Sequence, residues 1–273
     1  MIRLPLEGVA VGDLGPPLKW AGGKRWLVPR LRELLSAVDF ERLVEPFVGG
    51  LAVALGLRPH KALLRDANPH LINFYKWLKR GLDLTGLGIQ LTNDTSIFYQ
   101  NRERFNALAR SGKIECAEAA ALFYYLNRTA FNGLCRFNRR GEFNVPFGRY
   151  STIAYRTDFR EYKNAFSNFT FETGDFQDMA PSGGDLVYAD PPYDVQFTSY
   201  SANGFSWEDQ VRLAKWLSGL SVPVLASNQA TDRVLDLYQR LGFSIETLNA
   251  PRRISCTGDR SEALEILAHI RLR

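Results

Sequence analysis

The chain has 273 residues, 45% hydrophobic and 23% charged, enough for one large globular domain or a domain with an insertion. No apolar run approaches the about 20 residues of a membrane helix, and the opening MIRLPLEGVAVGDLGPP lacks the basic-then-apolar build of a signal peptide, so a cytoplasmic protein is expected. Net charge is +5, and the three cysteines (Cys116, Cys135, Cys256) and three histidines (His60, His70, His269) fall at neither disulfide-framework nor metal-ligand spacings, so no metal is expected.

In chain order, RLVEPFV (42–48) reads as a short strand followed by Gly49-Gly50 and a helical LAVALGL. KALLRDAN (61–68) reads as a second strand ending in Asp66, and PHLINFYKWLKRG as a helix opened by Pro69 and closed by Gly81. Strand, glycine turn, helix, strand opens a βαβ unit. The pattern then changes. IFYQNRERFNALARSG and IECAEAAALFYYLNR have helical periodicity and lead into an Asn/Gly-rich basic loop, 127–150. Strand-like runs resume at FTFETGD (169–175), DLVYAD (185–190), PVLASN (223–228), FSIETLNA (243–250) and ALEILAHIRL (263–272), with amphipathic helices over 207–219 and 231–241. The expected fold is a doubly wound α/β core built from 1–75 and 166–273, carrying a mostly helical insertion over 76–165.

The charge is not spread evenly. Residues 125–163 hold eight cations (Arg128, Arg136, Arg139, Arg140, Arg149, Arg156, Arg160, Lys163) against Glu142, Asp158 and Glu161, so this segment alone accounts for the net +5. The cations are interleaved with Tyr, Phe, Asn and Gly, a composition that suits nucleic acid better than a bare solvated face.

Ligands of doubly wound sheets bind outside the carboxyl ends of the strands, and three candidate sites fall there. Gly49-Gly50 allows a ligand to approach the backbone closely. Asp66 follows Glu45 by 21 residues, about the separation at which an acid caps a ribose in nucleotide-binding βαβ units. The third end is Asp190-Pro191-Pro192-Tyr193. Two prolines fix two φ angles and remove two donors, so they present the flanking groups on a stiff turn. That turn suits one difficult reaction. An adenine amino nitrogen is a poor nucleophile because its lone pair is delocalised into the ring. Attacking a methyl sulfonium makes it pyramidal and increasingly positive. The Asp190 carboxylate and the Pro191 carbonyl, accepting its two N–H bonds, would stabilise that charge, and the Tyr193 ring would hold a base taken out of the duplex. A nicotinamide dehydrogenase is a poorer reading, since EPFVGGLAVAL lacks G-x-G-x-x-G. A P-loop is poorer still, since Leu18 and Arg25 occupy required positions of LKWAGGKRW.

Taken together, PLKWAGGKRWLVPRL, EPFVGG, DANPHLINFY, NRTAFNGLCRFNRRGEFNVPFGRY and DPPYDVQFTSYSANGFSWEDQVRLA resemble, in order and over nearly the whole chain, the Dam-type DNA adenine-N6 methyltransferases of alpha motif order. The resemblance implies a Rossmann-like S-adenosylmethionine-dependent core, a target-recognition insertion, S-adenosylmethionine as methyl donor, double-stranded DNA as partner and GATC as target; a monomer is the default. It implies cofactor contacts from Trp20, Lys24, Asp66 and Asp190, with Lys24 toward the methionine carboxylate, and from Phe47, Gly49, Gly50 and Asp175 as further pocket candidates. Asp190, Pro191, Pro192 and Tyr193 form the implied catalytic motif. In the loop, Arg136 suits bidentate bonding to guanine O6 and N7, Lys19 a second guanine, and Leu134 and Pro146 a thymine methyl. Phe131 is the candidate wedge, Asn132 a contact to the orphaned base, and Tyr150 a further DNA contact. The rival readings are an RNA or protein-glutamine methyltransferase and an inactive DNA-binding module. The basic loop argues against a protein substrate, and the intact Asp190 and Tyr193 argue against an inactive module.

Overall fold

The computed structural model describes residues 14–193, 204–251 and 263–272. Seven strands form one sheet: β1 Arg42–Glu45, β2 Lys61–Asp66, β3 Phe169–Thr173, β4 Asp185–Ala189, β5 Val224–Gln229, β6 Ser244–Ala250 and β7 Ala263–Ile270. Their spatial order is β3-β2-β1-β4-β5-β7-β6. The first five pair in parallel, and β7 runs antiparallel between β5 and β6. This is the expected doubly wound, Rossmann-like α/β architecture, and the order reverses between β1 and β4, where such sheets open a crevice. β1 stops at Glu45, short of the predicted Val48, because Pro46 has no N–H to give a neighbouring strand.

The described residues also form eight α-helices: α1 Val28–Leu34, α2 Ala52–Leu57, α3 Pro69–Arg80, α4 Thr95–Arg110, α5 Ala117–Thr129, α6 Arg160–Ala165, α7 Trp207–Gly219 and α8 Asp232–Arg240. Successive strand residues feed opposite layers. Leu43, Leu186 and Leu225 join a core with Leu31 of α1, Leu71 of α3 and Leu122 of α5. Their neighbours Val44, Val187, Val224 and Ala226 join a second core with Leu213 of α7 and Val234 of α8. With both faces buried, β4 and the first half of β5 read as continuous apolar runs rather than as an alternation.

The Asn68 side chain caps α3 by accepting from the His70 and Leu71 amides, and Gly81 at φ 90° ends it. The helix runs unbroken through residue 76, where the sequence reading opened the insertion, because no breaker lies between its caps and Phe74, Tyr75 and Leu78 are buried beneath it. The segment that departs from the βαβ pattern therefore starts after Gly81. Its aromatic side chains Phe98, Phe105, Phe123 and Phe159 sit in the same core as Leu43 and Leu186, so the helical segment shares the core of the sheet. No helix of the described residues is long and apolar enough to cross a membrane.

Candidate active site

The loops after β1, β2 and β4, together with a turn at residues 20–24, enclose a cavity of about 570 Å³. Ten residues singled out in the sequence line it: Trp20, Lys24, Phe47, Gly49, Gly50, Asp66, Asp190, Pro191, Pro192 and Tyr193. Asp175 does not. Its carboxylate is held by the Arg212 guanidinium at 2.8 and 2.9 Å and caps the Gln177 amide, and Arg212 first, then that amide, hold it below the usual carboxylate range.

The Asp190 carboxylate is fixed at both oxygens. Ser227 Oγ on β5 donates to Oδ1 at 2.7 Å, and Lys24 Nζ lies 3.1 Å from Oδ2. Ser227 in turn shares a 2.9 Å hydrogen bond with the Tyr188 hydroxyl inside the sheet. The proline turn is braced from α7, where the buried Gln210 donates Nε2 to the Pro192 carbonyl at 2.7 Å and accepts from Asn228 Nδ2 at 2.9 Å. The Tyr193 hydroxyl donates to Glu265 Oε2 at 2.6 Å, and its ring lies 4.7 Å from Lys24 Nζ. Lys24, only 3% exposed, also donates to the Gly22 carbonyl at 2.7 Å, which fixes the turn that delivers it.

Besides lining the cavity, the glycine pair has a packing part that the sequence did not show. A Cβ on Gly50 would lie 2.7 Å from Trp20 Cβ, and one on Gly49, where φ is +44°, would lie 2.9 Å from Trp20 Nε1. The group that needs close approach to this backbone is the Trp20 side chain, which packs onto the turn and closes the cavity wall; the two glycines also line the cavity. Asp66 accepts from the amides of Gly49 at 3.1 Å and Asn68 at 2.9 Å, so it ties the ends of β1 and β2 together. Burial raises its pKa, and those two amide bonds oppose the shift.

Four further residues at the site, Glu45, Ser227, Gln210 and Glu265, were not among the sequence candidates. Glu45 ends β1, lines the cavity and is 2% exposed, with Oε1 lacking a hydrogen-bond partner. Burial, then repulsion from Asp190, pushes its pKa well above the carboxylate range. The signal was a carboxylate inside EPFVGG. Glu265 was visible as the one acid in the apolar run ALEILAHIRL. Ser227 and Gln210 left no sequence signal. Among the described residues, no group of three or more His, Cys, Asp and Glu is arranged to hold a metal ion.

The basic loop 127–150 is joined to the N-terminal turn at Lys19. The backbone of Lys19 exchanges bonds of 2.9 and 2.8 Å with the Asn127 side chain, and Gly133, at φ +64°, admits it: a Cβ there would meet Lys19 Cβ at 2.4 Å. Lys19 Nζ donates to the Arg128 carbonyl at 3.0 Å and sits 3.6 Å above the Tyr150 ring. Tyr150 donates to the Ala130 carbonyl at 2.9 Å. Phe131 is 48% exposed, Asn132 is exposed in the left-handed region at φ 52°, Pro146 is exposed and Leu134 is half-buried. Arg136 Nε donates to Asn144 Oδ1 at 2.8 Å, and Asn144 N donates back to the Arg136 carbonyl at 3.2 Å. These residues belong to one loop supported by the aromatic cluster of α4 and α5, where Asn106 bonds both the amide and the carbonyl of Phe143.

A family model described as D12 class N6 adenine-specific DNA methyltransferase matches residues 20–254. A DNA adenine methylase of Serratia marcescens is 40% identical over 269 residues, covering 92% of this chain and 96% of that protein. A DNA adenine methylase of Escherichia coli K12 is 37% identical over 268 residues, covering 92% and 93%. A DNA N-6-adenine-methyltransferase of Escherichia phage P1 is 36% identical over 265 residues, covering 91% of this chain; the chain spans about a third of that relative, 34% of its length.

Proposed function

The chain belongs to the family of D12 class N6 adenine-specific DNA methyltransferases, and from that premise we propose that it transfers the methyl group of S-adenosylmethionine to N6 of an adenine extruded from duplex DNA, within GATC. The observation that carries this reading is the convergence on one cavity of a buried ammonium, Lys24, a buried carboxylate with an orphaned oxygen, Glu45, and the Asp190–Tyr193 turn.

The residues fit the cofactor. A cavity of about 570 Å³ is within the range of small-molecule sites. Lys24 would hold the carboxylate of the amino-acid end and Glu45 its ammonium, which would supply the partner that Oε1 lacks. Asp66, already oriented by two backbone amides, would accept from the ribose hydroxyls. When bound, S-adenosylmethionine supplies a methyl group on a sulfonium. The protein's share is to hold the adenine amine and stabilise the positive charge it gains. Asp190 retains lone-pair capacity beyond its bonds to Ser227 and Lys24, and accepts an amine N–H. Gln210, by holding the Pro192 carbonyl, fixes the turn from which the Pro191 carbonyl accepts the other. The Tyr193 ring stacks on the extruded base while the exposed Phe131 fills the gap it leaves and Asn132 meets its former partner. Arg136 and Lys19 read the two guanines, and the segment that follows Gly81, up to residue 165, acts as the target-recognition segment in place of the expected 76–165.

The test is to incubate the protein with plasmid DNA and labelled S-adenosylmethionine and then map the methylated bases. N6-methyladenine confined to GATC is the expected result; label at other sequences overturns the specificity, and no label without RNA or protein present overturns the substrate.

A further inference from the structure

Two prolines stiffen the backbone as far as Pro192, but nothing in that stiffness fixes the ring of Tyr193, whose side-chain torsions lie beyond it. The far end of the ring is fixed instead by a hydrogen bond. Tyr193 Oη donates to Glu265 Oε2 at 2.6 Å, within the short range of hydroxyl-to-carboxylate bonds. Glu265 comes from the other end of the sequence. It reaches the site because β7 is antiparallel: its first residues lie beside the carboxyl ends of the parallel strands, with Glu265 opposite Gln229 of β5 on one side and Leu248 of β6 on the other. Paired on both edges, that backbone is a rigid mount. The residue is 9% exposed and follows Leu264 in a strand whose next three residues, Ile266, Leu267 and Ala268, are core. A carboxylate in such a place costs stability unless something holds it, and Lys24 Nζ, 3.8 Å from Oε2, supplies a cation. Burial first, then the carboxylates of Asp190 and Glu265, push the phenol well above its ordinary value, so Oη keeps the proton it donates.

From this geometry we infer that Glu265 is a positioning residue for methyl transfer: by accepting from the Tyr193 hydroxyl it holds the ring in the orientation that receives the extruded adenine. The inference rests on the proposed stacking role of Tyr193. Glu265 touches neither the base nor the methyl group in this account; it acts through Tyr193.

The experiment is a double-mutant cycle on the full-length enzyme, with kcat on a DNA duplex and S-adenosylmethionine Kd measured for Glu265→Ala, Glu265→Gln, Tyr193→Phe, Tyr193→Ala and the pair Glu265→Ala/Tyr193→Phe. Glu265→Ala and Tyr193→Phe should each lower kcat about tenfold, the rate equivalent of one lost hydrogen bond, and the pair should be no worse than either alone, because both delete the same bond. Glu265→Gln, whose amide oxygen still accepts, should recover most of the activity, and cofactor Kd should not change. A pair whose losses multiply to about a hundredfold overturns the inference, as does normal kcat in Glu265→Ala with weakened cofactor binding, which would place Glu265 with Lys24 in the cofactor site instead. Should Glu265→Ala fail to fold, Glu265→Leu, suited to an apolar strand, makes the same comparison. Near-normal turnover by Tyr193→Ala would overturn the stacking reading itself, and that result is distinct from any outcome at Glu265.

Discussion

Lys24 Nζ lies 3.1 Å from Asp190 Oδ2 and 3.8 Å from Glu265 Oε2, so one buried ammonium, delivered by a turn near the start of the chain, stands between carboxylates carried by β7 and the end of β4. Removing it does two things. Lys24→Ala takes away the proposed cofactor-carboxylate partner, and it leaves two acidic side chains, 21% and 11% exposed, without their shared cation. S-adenosylmethionine affinity should fall while DNA binding survives. Breaking a fully buried pair costs about 3–5 kcal/mol, and the partial exposure of Asp190 places the stability loss at or below about 3. Calorimetric titration and urea unfolding report the two effects separately, and an unchanged Kd would remove Lys24 from the cofactor site.

Asp190→Ala should lower turnover about a hundredfold or more without unfolding the protein, because it removes the proposed acceptor for the developing charge on the amine. Ser227→Ala should show a smaller loss of the same kind, since Ser227 only orients Asp190 from 2.7 Å. Single-turnover rates with both ligands saturating distinguish these from binding defects. Near-normal turnover by Asp190→Ala would mean that the catalytic assignment is wrong.

Glu45 makes a pH prediction. Its folded pKa is raised above the ordinary value of 4.5, by burial first and by Asp190 second. A raised folded value means that its contribution to stability is fully present below about pH 4.5 and is lost as pH rises through the folded value. Glu45→Gln abolishes that dependence, so in the absence of cofactor the variant should gain on the wild type in urea midpoint as pH increases. The same substitution should weaken S-adenosylmethionine binding, and wild-type binding should release a proton as an ammonium partner restores the charged carboxylate. Calorimetry in two buffers of different ionisation enthalpy measures that proton; no release would detach Glu45 from the cofactor.

Much of the core was legible because parallel strands buried on both faces read as apolar runs and because Pro69, Gly81 and the strand-end acids mark element ends. The Asp190–Tyr193 turn stood out because two prolines can have only a few structural uses. What the sequence could not place were contacts that depend on tertiary crossing. Glu265 meets Tyr193 across 72 residues only because β7 runs antiparallel, and that direction is not encoded in ALEILAHIRL itself. Trp20 occupies the space over Gly49 and Gly50, which local reasoning had left for a ligand. Asp175 was a pocket candidate only through the family resemblance, and it is bonded instead to Arg212 of α7 and does not line the cavity.

The Trp20 contact gives a steric prediction. Gly50→Ala would set a methyl 2.7 Å from Trp20 Cβ, an atom that cannot move without its backbone. The tryptophan or the turn must shift, at about 1–3 kcal/mol for an overpacked site. Cofactor affinity should fall with stability, and Trp20→Ala in the same chain should restore part of the stability by vacating the space. A Gly50→Ala variant with wild-type urea midpoint would show that the turn adapts freely.

The last prediction joins the two proposed guanine readers and separates them by pH. GATC is palindromic, so each duplex site offers a guanine on either side of the target step, and one reader comes from the loop while the other comes from the N-terminal turn. Arg136 is held by Asn144, and a guanidinium keeps its charge throughout the working range. Lys19 differs: burial first, then the neighbouring Arg128, bring its pKa down to about 8. Below that value it is a cationic donor above the Tyr150 ring; above it the ammonium loses its charge and its attraction for a guanine acceptor. A DNA acceptor favours the charged form, so binding takes up a proton near pH 8, and the contact weakens as pH rises through that value. Wild-type discrimination should therefore fade between pH 7 and pH 9 at one outer base pair and hold at the other, where the proposed bidentate contact of Arg136 would supply about 1–3 kcal/mol. Arg136→Ala should show the complement, losing preference at the pH-insensitive pair and methylating sites altered there relatively better. Methylation rates on oligonucleotides substituted at each outer pair, expressed as ratios to GATC at the same pH, cancel any general effect of pH on turnover. Equal fading at both pairs would remove Lys19 from specific readout, and an Arg136→Ala variant that slows every substrate by one factor would reduce Arg136 to a phosphate contact.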